Sequence, residues 1–193
     1  MQTGELLTRV FIWLALGGYT LGAVAFLLSN ERSAWLRAAR WAWTLGCGCF
    51  LIHVACAFHF YHAWSHWAAY RETARQTGAT FGGAWAWGGG VYVSYAFTLL
   101  WLLDVSAWWA QGLASYAQRP AWLMKAWHGF FVFILFNGTV VFESGAARWF
   151  GVLICATLLA CWSWARQQRI GCTSVRPSKE RFPATKPSAT SGH

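Results

Sequence analysis

Five stretches of this 193-residue chain are each long and apolar enough to cross a lipid bilayer, and no other feature restricts its fold so severely: Val10 to Leu28, Trp41 to Trp64, Val91 to Ala110, Ala126 to Phe142, and Trp149 to Ala165. A helix crosses the hydrocarbon core with about 17 to 25 mostly apolar residues at ~1.5 Å rise each, whereas a spanning strand uses ~10 residues that alternate in polarity. The runs are too long and too evenly apolar for strands. The sequence therefore predicts an all-α integral membrane protein, a bundle of five transmembrane helices at about 10–28, 41–64, 91–110, 126–142 and 149–165. Only 11% of the residues are charged, against ~25% in an ordinary soluble domain, so lipid has to cover much of the surface. Sixteen Trp and six Tyr suit the headgroup level, where amphipathic rings are favoured.

The first run is read as a retained helix. Small residues around Gly22 to Ala25 could pass for a cleavage site, but a secretory signal has an apolar core of only ~7 to 15 residues and a basic leader, and here Glu5 offsets Arg9.

Orientation follows from the basic flanks, because Lys and Arg in short loops stay on the cytoplasmic side. With the N-terminus outside, Arg32, Arg37, Arg40, Arg119, Lys125, Arg166, Arg169, Arg176, Lys179, Arg181 and Lys186 fall inside, and only Arg9, Arg71, Arg75 and Arg148 fall outside. The expectation is N-outside, C-inside, in a multi-pass membrane such as a bacterial inner membrane. The net charge of +9 is then explained by topology and anionic lipid, and not by nucleic acid. Residues 1–9 form an outer N-terminal segment. Residues 171–193, rich in Ser, Thr, Pro and basic side chains, read as a disordered cytoplasmic tail.

The longest connection, Ser65 to Gly90, divides in two. Ser65 to Thr77 has few breakers and helical spacing, so the second helix is expected to continue to 77, beyond the membrane. Gly78 to Gly90 is glycine-rich and reads as a flexible return carrying Trp85 and Trp87 at the interface. Gly18 and Gly22 give the G-x-x-x-G spacing that admits a second helix, within this bundle or in a dimer. No P-loop accompanies the glycine runs, and the sequon at Asn137 lies inside the fourth helix. Cys47, Cys49, Cys56, Cys155 and Cys161 fall in helices and Cys172 in the tail, so no disulfide framework is indicated. Cys47 and Cys49 diverge by ~200° around a helix and cannot share a metal.

One constellation carries chemistry. In the run HVACAFHFYHAWSHWAAY, a continuous helix places His59, His62, His66 and Tyr70 on one face at ~100° per residue, with His53 turned away. Neighbouring pairs have i, i+3 or i, i+4 spacing, which lets two imidazoles reach one ion. His59 and His66 are ~10 Å apart in rise, so further ligands must come from other helices. Glu143 leads, with Tyr95, Tyr92 and Asn137 at matching depth. The cofactor expected is a transition metal (Cu, Zn or Fe) or haem. Haem held by two histidines of one chain is disfavoured, because His53 and His128 match poorly in depth, whereas an oligomer could pair equivalent histidines.

Asp104 in the third helix, His128 in the fourth and His53 form a second set, readable as a proton relay or as one interhelical hydrogen bond. No nucleophile and base pair is recognisable, and no reaction follows from the motifs. The expectation is thus a small membrane protein with a histidine-rich metal or haem site near its outer face, serving redox chemistry or metal handling in a larger complex. The competing classes are an accessory subunit that packs against lipid, a protein partner or a second copy, and a proton-relay or transport module.

Overall fold

The computed structural model describes residues 3–29, 33–83, 86–142 and 145–174, and among these no β-strand occurs. The described residues form six α-helices: α1 (Thr3–Leu27), α2 (Ser33–Phe60), α3 (His66–Phe81), α4 (Gly90–Ala117), α5 (Ala121–Phe136) and α6 (Ala146–Ser174), with a π-helical segment, Asn137–Val141, continuing α5. Five of them are long and apolar enough to cross a membrane. They are the five expected from hydropathy. The sixth, α3, is short and polar.

The helices outrun their apolar stretches because backbone hydrogen bonding does not stop where hydrocarbon would. α1 begins at Thr3, and its first turns carry an i,i+4 ion pair between Glu5 and Arg9 at 3.1 Å. α6 runs on to Ser174. Residues 175–193, most of the expected tail, lie outside the described residues, as do Trp85 and Glu143.

The helix expected to run unbroken from 41 to 77 is broken. α2 ends at Phe60, and the chain turns through Tyr61–Ser65 with two consecutive left-handed residues, Ala63 (φ 46°) and Trp64 (φ 58°). This conformation is costly for residues with a Cβ. It is supported locally by hydrogen bonds from Trp64 N to Phe58 O (3.0 Å) and Ser65 N to His62 O (2.8 Å). Ser65 then caps α3, its hydroxyl accepting from the backbone N–H of Ala68 at 3.3 Å. The turn lets α3, with Arg71, Glu72, Arg75 and Gln76, fold back against α4.

Helix α4 is interrupted once, at Gly112 (φ 79°, ψ 175°), a conformation open to glycine because it lacks Cβ. The chain after it doubles back, so that Tyr116 stacks on Trp108 with ring centroids 3.9 Å apart.

Packing is most extensive between α1 and α2. A Cβ at Gly18 would lie 2.6 Å from the Gly46 Cα, and one at Gly22 would lie 3.2 Å from the Trp43 backbone nitrogen. The G-x-x-x-G face of α1 is therefore occupied within the chain, against a Gly46 that the sequence did not single out. The close approach brings together the buried core of Tyr19 from α1, Trp43 from α2, Trp101 from α4 and Phe131 from α5, with Tyr19 and Trp43 each stacked or tilted against Phe131 at 5.3 and 5.1 Å. Such pairs are worth roughly 0.5–1.5 kcal/mol each beyond area burial. Contacts of this kind are what hold together helices apolar enough to cross a membrane.

Two adjacent glycines test this packing. Nothing lies within 4 Å of a Cβ placed at Gly17, so Gly17→Ala is expected to be neutral or to stabilise by about 0.5–1 kcal/mol through helix propensity. Gly18→Ala is expected to destabilise by about 1–3 kcal/mol as α1 is forced off α2. Thermal unfolding of the two variants in detergent separates them.

Candidate functional site

The break after α2 disperses the histidine stripe. His59 is exposed on the last turn of α2 with its ring 4.8 Å from that of Phe60. His62 sits in the turn beside Phe58, at 5.6 Å. His66 opens α3, and both its ring nitrogens are engaged: Nδ1 lies 3.0 Å from the Tyr95 hydroxyl and Nε2 3.2 Å from the Tyr92 hydroxyl. The two phenols clip α3 to α4 through one imidazole. Tyr70 packs its ring against Trp67 and Tyr92. The side-chain amide of Asn137 donates back to Phe133 O at 2.8 Å, within its own helix. Among the described residues, no group of three or more His, Cys, Asp or Glu side chains is placed to hold a metal ion.

What the fold does bring together is a cavity of about 1080 Å³ at the α3 end of the bundle, walled by α1, α2, α3, α4 and α5. Its floor is the upper side of the aromatic core, formed by Tyr19, Phe50, Trp101 and Phe131. Its mouth is polar, with Arg9, His62, Arg71, Glu72 and Arg75. This combination of an apolar interior and a few convergent polar groups is characteristic of small-molecule sites, and the volume lies at the upper end of their range of roughly 300–1,000 Å³.

Two of the mouth cations are already paired. Arg9 faces Glu5, and Arg75 grips Glu72 with Nε to Oε2 at 2.9 Å and Nη2 to Oε1 at 2.6 Å, while Gln76 adds a third hydrogen bond at 3.0 Å. The Arg75 guanidinium beside Glu72 holds its carboxyl below the usual carboxylate range, and Glu72 in turn raises Arg75. Arg71 and His62 have no side-chain hydrogen bond or ion pair within the described residues.

His53 lies about two helical turns inside the end of α2 and lines the same cavity. Its Nδ1 is 2.9 Å from the backbone carbonyl oxygen of Thr8 on α1. A carbonyl only accepts, so Nδ1 carries the proton. In the neutral ring Nε2 then presents a lone pair. The sequence marked His53 as turned away from the stripe. It could not place α1 beside it, since that contact depends on how α1 and α2 pack.

Asp104 and His128 do not meet. Asp104 accepts from the Tyr116 hydroxyl at 2.7 Å and from Arg119 Nη1 at 2.6 Å, and the Arg119 guanidinium lies 4.1 Å over the Tyr116 ring. His128 rests against the rings of Trp43 and Phe26, at 5.7 and 6.4 Å. Arg119 was read only as a flanking charge and Tyr116 was not singled out, because both lie beyond the third apolar run. The Gly112 reversal is what returns them to Asp104. Cys47, Cys49, Cys56, Cys155 and Cys161 are free thiols.

Comparison with protein-family models, with curated proteins and with solved structures returned no match to this chain.

The Asp104 cluster is largely buried, with the Asp104 side chain 1% and the Arg119 side chain 16% exposed, beside a second space of about 430 Å³ that both help to line. Removing one partner of such a pair typically costs about 3–5 kcal/mol. Asp104→Asn and Arg119→Met are each expected to destabilise by that order, and the double variant by clearly less than their sum. A double-mutant cycle on detergent-solubilised protein measures the coupling.

Proposed function

We propose that the chain is a multi-pass membrane protein that binds an amphipathic small molecule in the cavity at the α3 end, and that this end faces away from the cytoplasm. The observation that carries the reading is the cavity itself: one continuous space runs from a cationic and polar mouth on α3 and the α2–α3 turn to an aromatic floor of Tyr19, Phe50, Trp101 and Phe131. A ligand with a charged head and an apolar body matches both ends. α3 would lie at the headgroup level, its polar face with Arg71, Glu72 and Arg75 toward water and the cavity. The orientation follows from the basic residues, since Arg37, Arg40, Arg119 and Lys125 gather at the opposite end of the bundle.

This reading shifts binding from the stripe to the cavity. His62 retains a part at the mouth and His53 gains one near the floor. A single ion shared by His59, His62 and His66 is not favoured, because the three no longer share a helix face and His66 is committed to two tyrosines.

Binding is tested with a fluorescent long-chain fatty acid titrated into the purified full-length protein. Wild type is expected to bind about one probe per chain. Ala57→Trp and Thr98→Trp, each adding bulk to the cavity wall, are expected to weaken binding by at least about tenfold, a loss of roughly 1.4 kcal/mol, with helical content unchanged by circular dichroism. Equal binding in all three proteins would place the probe on the lipid-facing surface and overturn the reading. Cysteine accessibility at Trp87 and Gln118, each changed singly to Cys in whole cells, is expected to label only the former from outside.

A further inference from the structure

We infer that the cavity ligand is a haem, with His53 Nε2 as the protein's ligand to its iron and Arg71 and His62 as partners of its carboxylates. The inference rests on the cavity-binding reading and narrows it to one chemical class.

The decisive atom is Nε2 of His53. With Nδ1 donating to the Thr8 carbonyl at 2.9 Å, Nε2 is a lone-pair donor that lacks a protein hydrogen bond. Four buried indole nitrogens and the Arg40 Nε are enclosed without partners, but Nε2 is not among them, in keeping with a nitrogen that opens on the cavity its residue lines. A lone pair facing this cavity, whose wall also carries Ser94, Thr98 and Thr139, is met by a proton donor, a water or a ligand hydroxyl included, or by a metal. A ligand whose inner end is a carbonyl offers only acceptors and leaves it unmet. A fatty acid places its carboxylate at the mouth and hydrocarbon beside His53, again leaving it unmet. Iron in a porphyrin accepts the lone pair directly. The Nδ1–H to backbone carbonyl bond is also the support that metal-bound imidazoles ordinarily have, since it fixes the tautomer and makes the ring a better ligand.

The rest of the cavity matches the remainder of the molecule. The porphyrin is flat, large and apolar, and the floor is built of aromatic residues, with Phe50 at 6.0 Å from His53 and at 5.5 Å from Trp101. Haem carries two carboxylates at one edge. At the mouth, Arg9 and Arg75 are neutralised by Glu5 and Glu72, which leaves Arg71, together with His62 beside the already paired Glu72, as the groups nearest an anionic edge. His53 and His62 are nine residues apart. That spacing puts them about half a turn out of phase on a helix, and His62 has moreover left the helix. The inference therefore assigns one protein ligand to the iron and leaves the other axial position to water or a small molecule.

The test uses full-length protein in detergent, titrated with ferric haem, with iron-free protoporphyrin and with the fluorescent fatty acid. The expected result is one haem per chain with a shifted Soret band and an electron paramagnetic resonance signature of axial imidazole. Iron-free protoporphyrin should bind at least about tenfold more weakly. His53→Ala should lose the axial signature and about tenfold or more in affinity, and added imidazole should restore the signature. His59→Ala, whose ring lies outside the cavity, should match wild type, and Arg71→Ala should weaken haem without altering the axial signature.

Haem that binds His53→Ala with an unchanged spectrum would overturn the assignment of His53, as would failure of imidazole to restore a lost signature. Fatty-acid binding without stoichiometric haem binding would overturn the haem inference while leaving the cavity reading in place. Binding of neither would overturn both.

Discussion

The close contact of α1 with α2 at Gly18 and Gly46 is the constraint on which the remaining features depend. In a bilayer, lipid tails are as apolar as leucine, so two helices gain little by merely meeting, and they hold where their backbones come near enough for many small contacts. The absence of a Cβ at Gly18, where one would meet the Gly46 Cα at 2.6 Å, permits that approach and sets the register. From the register follows the rest: Tyr19 reaches Trp43, both reach Phe131, and the Thr8 carbonyl lies against Nδ1 of His53. A wider separation would lose the aromatic floor and the fixed imidazole together.

Polar groups inside an apolar bundle are costly unless satisfied, and this bundle satisfies them in two ways. Toward the basic end, Asp104, Tyr116 and Arg119 form a largely buried cluster made possible by one glycine, Gly112, where the chain reverses. Nearby, Arg40 lies 3.9 Å over the Trp109 ring, and the Trp109 indole donates to Thr44 at 3.0 Å. Those groups pair with one another, although the Arg40 Nε is buried without a hydrogen-bond partner. At the α3 end, the polar groups surround space. Glu72 and Arg75 neutralise each other, while the side chains of His62 and Arg71 and one nitrogen of His53 are without a hydrogen-bond partner among the described residues.

The histidine run illustrates where sequence reasoning stops. Nothing between His59 and His66 is a glycine or proline, so the helical periodicity extrapolates across it and sets three imidazoles on one face. The chain nevertheless turns there through Ala63 and Trp64 in left-handed conformation. The reason lies downstream and in three dimensions. α3 finds partners by folding onto α4, where Tyr92 and Tyr95 receive His66. Local propensity therefore yields to a tertiary clip.

The sequence by itself determined the five apolar helices, because the length and hydropathy needed to cross hydrocarbon are properties of contiguous residues. It also marked the histidines, tyrosines and Asp104 as the groups to watch. Only the tertiary structure decided which of them act together. His53 was separated from its Thr8 partner by 45 positions, and Asp104 from Arg119 by a chain reversal that a single glycine permits. Contacts of that kind depend on how closely two helices pack and where a helix breaks, and neither is encoded in the periodicity of any one segment.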